Sequence, residues 1–460
     1  MITAEELTDA ALEASGADGC VVVLTETSEV NLRWANNTMT TNGHSTTRSF
    51  SVVSVVGDSV GVVSGNGTDV DEVRAVVAAS EQAARQSGPA RDVAPLLAGD
   101  SDVDFAAPAA ATEIGVFAQL TDELAAAIHT GSGELLYGFA DHRLETTWLA
   151  SSTGLRRRWV QPTGTVELNG KIADDLTRSA WAGAYTADFT DLDFTALVAE
   201  LRRRLGWSQR QVQLPAGRYE TVLPPSAVAD LMIYMVWSMD GRPAHEGRSA
   251  FAAPGNGPGV TRIGERLTKL PLTLLSDPRI QQPPGLQTAP FLATTASGDS
   301  VSVFDNGAPV PRVDWLRDGT VNALTYPRAA AQELGGRYTP PAENLILSGG
   351  RAASTDELVA RTDRGLLLTC LWYIREVDPV SLLLTGLTRD GVYLIEGGEV
   401  VGQVNNFRFN ESPIDLIRRV TEVGATERIL CREWKDWFSR TAMPPMRIPD
   451  FNMSSVSPAS

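Results

Sequence analysis

The chain has 460 residues, a formal net charge of −17 and a hydrophobic fraction of 43%. That length exceeds one simple core, so two domains are expected, and the composition is ordinary for a folded soluble protein. The acid excess repels polyanions, and the runs Arg156-Arg157-Arg158 and Arg202-Arg203-Arg204 are read as solvated faces rather than nucleic-acid contacts. Cys20, Cys370 and Cys431 are odd in number, far apart and free of any CxxC spacing, which argues against a disulfide framework or a zinc ribbon. The opening Met-Ile-Thr-Ala-Glu-Glu-Leu has neither the basic start nor the apolar run of a secretory signal, and no span reaches membrane-helix length. A cytoplasmic location is expected.

Thr3 and Glu6 stand at capping-box spacing and predict a helix to about Ser15. A strand follows from Cys20 to about Asn36, where Val30, Leu32 and Trp34 alternate with Asn31 and Arg33. Ser49 to Ser64 predicts two strands around a two-residue turn at Gly57-Asp58, and Thr68 is the expected cap of a helix that ends at Gly88-Pro89. The Ala-, Pro-, Asp- and Gly-rich stretch 89–112 reads as a surface connection. A helix over 116–129, a long hairpin turning at Ser151-Ser152-Thr153-Gly154, and a helix from Phe194 to Leu205 complete this half. The boundary is placed between Gly206 and Arg218.

The second half is punctuated by Asp277-Pro278, Asn306-Gly307, Asp318-Gly319, Gly349-Gly350, Arg389-Asp390-Gly391 and Gly397-Gly398, which is turn chemistry at strand spacing. Helices are expected only after Pro224-Pro225, near 328–334, and over 413–423. The fold class is therefore α+β: a mixed α/β N-terminal domain over 1–210, then a β-rich, antiparallel, barrel-like C-terminal domain over 211–460. Within the latter, Ala227 to Met239 is apolar on nearly every face, with Asp230 its one charge. Ser226 is a candidate cap, and Asp240-Gly241 break the helix. Such a helix belongs in the middle of a domain.

Arg33-Trp34-Ala35-Asn36-Asn37 with Thr41-Asn42-Gly43, then Ser151-Ser152-Thr153-Gly154, Phe304-Asp305-Asn306-Gly307, Asn344-Leu345 with Gly349-Gly350, and Gly391 to Gly398 occur in an order that resembles the TldD/TldE family, also called PmbA or modulator of DNA gyrase. The resemblance spans roughly 20–450. It implies cytoplasmic proteins in which TldD-type chains are zinc metallopeptidases, and TldE/PmbA-type chains are their partners. In TldD-type chains the ligands lie in a helical His-Glu-x-x-x-His, trailed by a segment matched here by Arg248-Ser249-Ala250-Phe251. On that alignment the two histidines and the glutamate fall at Met232, Trp237 and Ile233. None of these can bind zinc or activate water. Cys431 stands about where TldD-type chains supply a cysteine ligand, and is read as a small core or relict residue.

His245-Glu246 fails the HExxH spacing and is expected in a surface loop. Pro254 to Gly259 lacks the donors and the Lys-Ser/Thr of a phosphate cradle and is read as a loop. The leading expectation is a non-catalytic subunit of a heteromeric peptidase acting on unfolded peptide, with zinc held by the TldD-type partner and none by this chain. The alternatives are a peptidase with a rebuilt site around Cys431, and a protein that binds another target such as DNA gyrase. Arg389, Asp390, Asn405, Asn406 and Arg408, within strands over 386–409, are the candidate contacts to partner or peptide.

Overall fold

The first turn forms as its sequence dictates: the Thr3 hydroxyl accepts the Glu6 N–H at 3.2 Å, and the Glu6 carboxylate accepts the Thr3 N–H at 2.8 Å, closing the capping box of helix α1 (Ala4–Ala14). The computed structural model describes residues 2–131, 133–255 and 257–458, so Asn256 of the glycine-rich stretch lies outside them. Strands β1 (Gly19–Ala35), β2 (Thr38–Val56) and β3 (Ser59–Gly65) follow, then α2 (Val70–Gln86), α3 (Ala118–Thr130), β4 (Glu134–Ser151), β5 (Arg156–Ile172), β6 (Asp175–Thr186) and α4 (Phe194–Trp207). The six strands make one antiparallel sheet in the order β3-β2-β1-β4-β5-β6.

Three local expectations are corrected. Asp69, not Thr68, caps α2, its carboxylate accepting the Glu72 N–H at 2.9 Å, while the Thr68 hydroxyl bonds to Glu72 at 2.6 Å. The stretch 38–48 is strand, joined to β1 through Asn36 and Asn37, both at positive φ (51° and 58°). Such a pair matches the primed hairpin turn, which asparagine tolerates. The arginine runs are not solvated faces. Arg156, Arg157 and Arg158 pair with Asp9, Asp102 and Asp104 at 3.2, 3.3 and 3.0 Å and pin the 100–104 connection to β5. Arg202 bonds Glu134 at 2.7 Å, and Arg203 and Arg204 both bond Glu200 at 2.7 Å.

Helices cover this sheet because its inward rows are apolar. α1 and α2 pack on Val22, Leu24, Phe50 and Val52, and α3 and α4 on Leu32, Trp34, Val166 and Leu168. A further cluster joins Val21, Leu149 and Leu155 to Phe291, Val303 and Phe304 of the second half.

In the second half a ten-stranded sheet runs Leu371–Asp378, Leu383–Thr388, Phe407–Glu411, Met446–Val456, β8 (Gly217–Leu223), Arg364–Leu368, Val392–Glu396, Glu399–Val404 and β7 (Gln211–Val212), with Glu422–Val423 paired to Met446–Val456. A separate six-stranded sheet includes Thr273–Ser276, Val313–Arg317 and Leu345–Ser348. The fold is mixed α+β with strongly curled antiparallel sheets. Pairing is not wholly antiparallel: β8 with Arg364–Leu368, β7 with Glu399–Val404, and Leu345–Ser348 with Thr441–Met443 are parallel. The expected helix over 413–423 stops at Arg419, after which Glu422–Val423 joins the sheet.

Candidate functional site

The apolar helix is α5 (Pro225–Trp237), and one large core cluster is built around it. Pro224 is its cap residue, and the N–H groups of Ala227 and Val228 return to the Pro224 carbonyl at 3.0 and 3.1 Å. Ser226 is therefore not the cap. Its hydroxyl points away and donates to the Thr369 carbonyl at 3.4 Å. The helix ends two residues short of Met239, where Ser238 bonds back to Met235 and Gly241 donates to the Thr325 carbonyl at 2.9 Å. Gly241 is required there, since a Cβ would lie 1.9 Å from the Tyr326 ring.

The positions of the missing motif divide along the helix. Met232 and Ile233 are 1% and 0% exposed, but Trp237 is 40% exposed, so α5 is not buried all round. Its last turn emerges beside the loop 431–438, where the Trp237 ring packs on Trp434 at 5.2 Å and on Phe438 at 6.3 Å. An indole can cover a core edge while part of it stays wet, which is why a large aromatic suits this position.

The loop 431–438 is tied to α5 through Asp230. One Asp230 oxygen accepts the Glu433 N–H at 2.9 Å, and the Asp230 carbonyl accepts the Trp434 indole at 2.9 Å. The other carboxylate oxygen is buried without a hydrogen-bond partner. Burial pushes the Asp230 carboxyl well above the usual carboxylate range. Cys431 is buried, donates to the Phe438 carbonyl at 2.9 Å, and has its thiol pushed well up by burial, so it is an inert core group. Cys370 is likewise buried, its thiol pushed up to about 12.

These side chains do not fit zinc. Thioether, alkyl and indole groups occupy α5 where imidazole and carboxylate would be needed, and among the described residues no group of three or more His, Cys, Asp and Glu could hold a metal ion. His245 is not in a surface loop. It closes a short helix, Gly241–His245, half-buried, with Nε2 3.2 Å from the Tyr326 hydroxyl.

The five candidate contact residues are only partly brought together. Asp390 turns inward, accepting from the Ser179 hydroxyl of β6 and lying 3.5 Å from Arg389. Asn405 accepts the Leu214 N–H at 2.7 Å, and Asn406 accepts from the Thr388 hydroxyl at 3.3 Å. Arg408 is exposed and reaches Thr385 at 3.3 Å, while Arg389 lies over the Trp372 ring at 5.8 Å.

Sequence reasoning missed the aromatic cleft beside this loop. About 650 Å³ in volume, it lies between β5 and the loop and is lined by Trp372, Tyr373, Trp434 and Trp437. Its aromatics lie far apart in sequence, and no local spacing signals their meeting.

The motifs that occur in order along the chain brace the second half internally and touch the first at Leu155. Asp305 accepts the Arg328 backbone N–H at 3.0 Å and its guanidinium at 2.7 Å. Gly307 lies against Leu155, just beyond the 151–154 turn. Asn344 bonds Asp277 and Leu286 through their backbones at 2.6–2.9 Å.

Comparison with known proteins gives the same picture. Residues 216–455 match the PmbA/TldA metallopeptidase C-terminal domain and residues 20–84 match PmbA/TldA metallopeptidase domain 1. The fold is similar to that of TldE from Thermococcus kodakarensis, with 14% identity, 97% of this chain and 99% of that chain covered, and a TM-score of 0.76. It is also similar to a suggested modulator of DNA gyrase from Bacteroides thetaiotaomicron, with 16% identity, coverage of 99% and 100%, and a TM-score of 0.76. A third similar structure is a suggested modulator of a DNA gyrase from Thermotoga maritima, with 16% identity, coverage of 98% and 100%, and a TM-score of 0.77. No curated protein matches the sequence. Among the described residues no helix is long and apolar enough to cross a membrane. With more than half of its residues matched by the C-terminal domain model, the chain belongs to the PmbA/TldD family.

Proposed function

We propose that this chain is a non-catalytic subunit that pairs, in the cytoplasm, with a zinc-bearing homologue of its own family and helps it enclose and cleave unfolded peptide. The observation that carries the reading is the packing of α5: Met232 and Ile233 are core side chains and Trp237 is an aromatic cover, so the helix is built as a wall rather than a metal site. Hydrolysis needs a metal or a base within reach of the attacking water, and these three side chains offer neither.

The N-terminal sheet supports an assembly role. β3 pairs only with residues 50–56 of β2, so among the described residues no strand lies against 38–49 on that side. An edge of that length, free of lysine and proline and irregular only at Thr40, where the register against Arg33 and Trp34 shifts, favours pairing with another chain. Of the five candidate contact residues, Arg389 and Arg408 remain turned toward solvent and could meet a partner.

Co-expression with each zinc-bearing homologue of the same genome, followed by size-exclusion chromatography with light scattering, tests the reading. A heteromer is expected, with peptidase activity that needs both chains and is lost to a chelator. Stoichiometric zinc in the isolated chain, or failure to associate with any such homologue, would overturn it.

A further inference from the structure

We propose that the cleft between β5 and the loop 431–438 seats an aromatic or large apolar side chain of an extended polypeptide; this rests on reading the chain as a peptide-handling subunit. Two rings in the cleft are held out into solvent rather than folded onto the core: Trp437 is 74% exposed and Tyr373 is 56% exposed. Large aromatics that remain exposed together around a concavity mark binding surfaces, because covering them removes apolar area from water at little cost in side-chain entropy.

The backbone is arranged to keep Tyr373 in place. It sits at φ 51°, a conformation that costs an aromatic residue energy, in a bulge where Leu371–Asp378 shifts register against Leu383–Thr388. The Glu433 carboxylate accepts both N–H groups the bulge frees, Tyr373 at 3.1 Å and Ile374 at 3.0 Å. The Arg375 guanidinium bonds Glu433 at 3.3 Å and lies 5.9 Å from the Tyr373 ring. Strain supported by a carboxylate and an arginine is a positioned feature.

The charges around the cleft select against an ionic ligand. Glu167 pairs with Lys435 at 3.0 Å and Arg432 at 3.7 Å, Asp436 pairs with Lys435 at 2.8 Å, and Glu433 pairs with Arg375. Three acids and three bases thus satisfy one another, so an incoming ion finds no unpaired opposite charge. Arg432 is further committed, lying 4.1 Å over Trp372 and 5.4 Å over Trp181. What the cleft offers a ligand is ring surface, and the complement of ring surface is an uncharged aromatic or apolar side chain.

The test uses the full chain alone, without metal or partner, so it can fail while the heteromer still forms and succeed where the heteromer does not. Binding of acetyl-Gly-Gly-Phe-Gly-Gly-amide and of acetyl-Gly-Gly-Ala-Gly-Gly-amide is followed by the NMR shifts of the indole N–H groups. The phenylalanine peptide is expected to bind at least about tenfold more tightly, as the difference in buried apolar area requires. Trp437→Ala should erase that preference without altering the melting temperature. Tyr373→Asn, which keeps a residue tolerant of positive φ while removing the ring, should do the same. Equal affinity for both peptides, a preference that survives Trp437→Ala, or a concentration-dependent homodimer that Trp437→Ala dissolves while the peptides bind equally, would each overturn the proposal.

Discussion

The two large sheets of this protein are assembled by opposite routes. In the N-terminal sheet sequence neighbours mostly lie side by side in long hairpins, among them those turned at Asn36-Asn37, Gly57-Asp58 and 151–154, and β1 with β4 is the distant pairing. The ten-stranded sheet places Met446–Val456 beside β8 and Phe407–Glu411, and β8 beside Arg364–Leu368, so its central pairings join residues as distant in sequence as Gly217 and Met453. The first sheet is supported by helices laid on it; the second closes around α5. Damage to one should therefore spread through local ladder contacts, and damage to the other through a single buried helix.

The sharpest break in that comparison is Ile233→Glu. A carboxylate placed where no polar partner exists should cost about 4 kcal/mol or more and leave the second half unfolded, read as loss of its transition in calorimetry. Met232→His should be milder, at about 2–3 kcal/mol, because imidazole can stay neutral. A triple change that also includes Trp237→His should not create a peptidase, and zinc-dependent cleavage by it would contradict the packing of α5. In the N-terminal sheet the matching test is Gly138→Ala. A Cβ there would lie 2.1 Å from the Trp34 ring and 2.4 Å from the Glu167 carbonyl, a clash worth about 3 kcal/mol. If the halves are separate cooperative units, Gly138→Ala and Ile233→Glu should lower different calorimetric transitions. A single transition lowered by both would show that the cluster of Leu149, Leu155 and Phe304 couples them.

The same contrast decides what the sequence reveals. The capping box at Thr3, the Gly397-Gly398 turn at φ 60° and 80°, and the Asp318-Gly319 turn at φ 48° and 76° are local chemistry, and they are readable. The strand over 38–48 is not, because it is Thr-, Ser- and Asn-rich and exposed nearly throughout, so it carries no alternation of apolar and polar residues. Arg156, Arg157 and Arg158 read as solvated because their partners, Asp9, Asp102 and Asp104, lie 54 or more residues away. At the candidate site, Met232, Ile233 and Trp237 are legible only through the family resemblance, since as a string they read as ordinary core. Their division into two buried positions and one half-open position depends on where the loop 431–438 returns, which no local pattern states.

Asp230 sharpens the comparison without unfolding anything. Its carboxyl stays protonated in the fold above the pH at which the unfolded chain releases the proton, so the folded form holds more protons and stability falls as pH rises. Asp230→Asn keeps an oxygen to accept the Glu433 N–H and cannot ionise. It should match wild type near pH 4 and become progressively more stable through neutral pH, read from urea midpoints. A variant less stable than wild type at neutral pH would mean that Asp230 is ionised in the fold.

The smallest effect is expected at Asp240, just past the end of α5. Burial raises its carboxyl from 3.8 to about 6, opposed by the Ser300 hydroxyl, which donates to it at 2.8 Å. The sign is the same as at Asp230: the proton is held in the fold and lost in the unfolded chain, so stability from this group is complete below about pH 4 and declines as pH rises to about 6. Above that pH both states are ionised and the loss stops growing. Asp240→Asn retains the acceptor for Ser300, so its advantage over wild type should open between about pH 4 and pH 6 and then stay level. The shape separates the two aspartates: a difference that levels off near pH 6 belongs to the helix exit, whereas one that keeps widening into neutral pH belongs to the buried helix interior. An Asp240→Asn difference that keeps widening above pH 6 would show that the end of α5 is as closed to water as its middle.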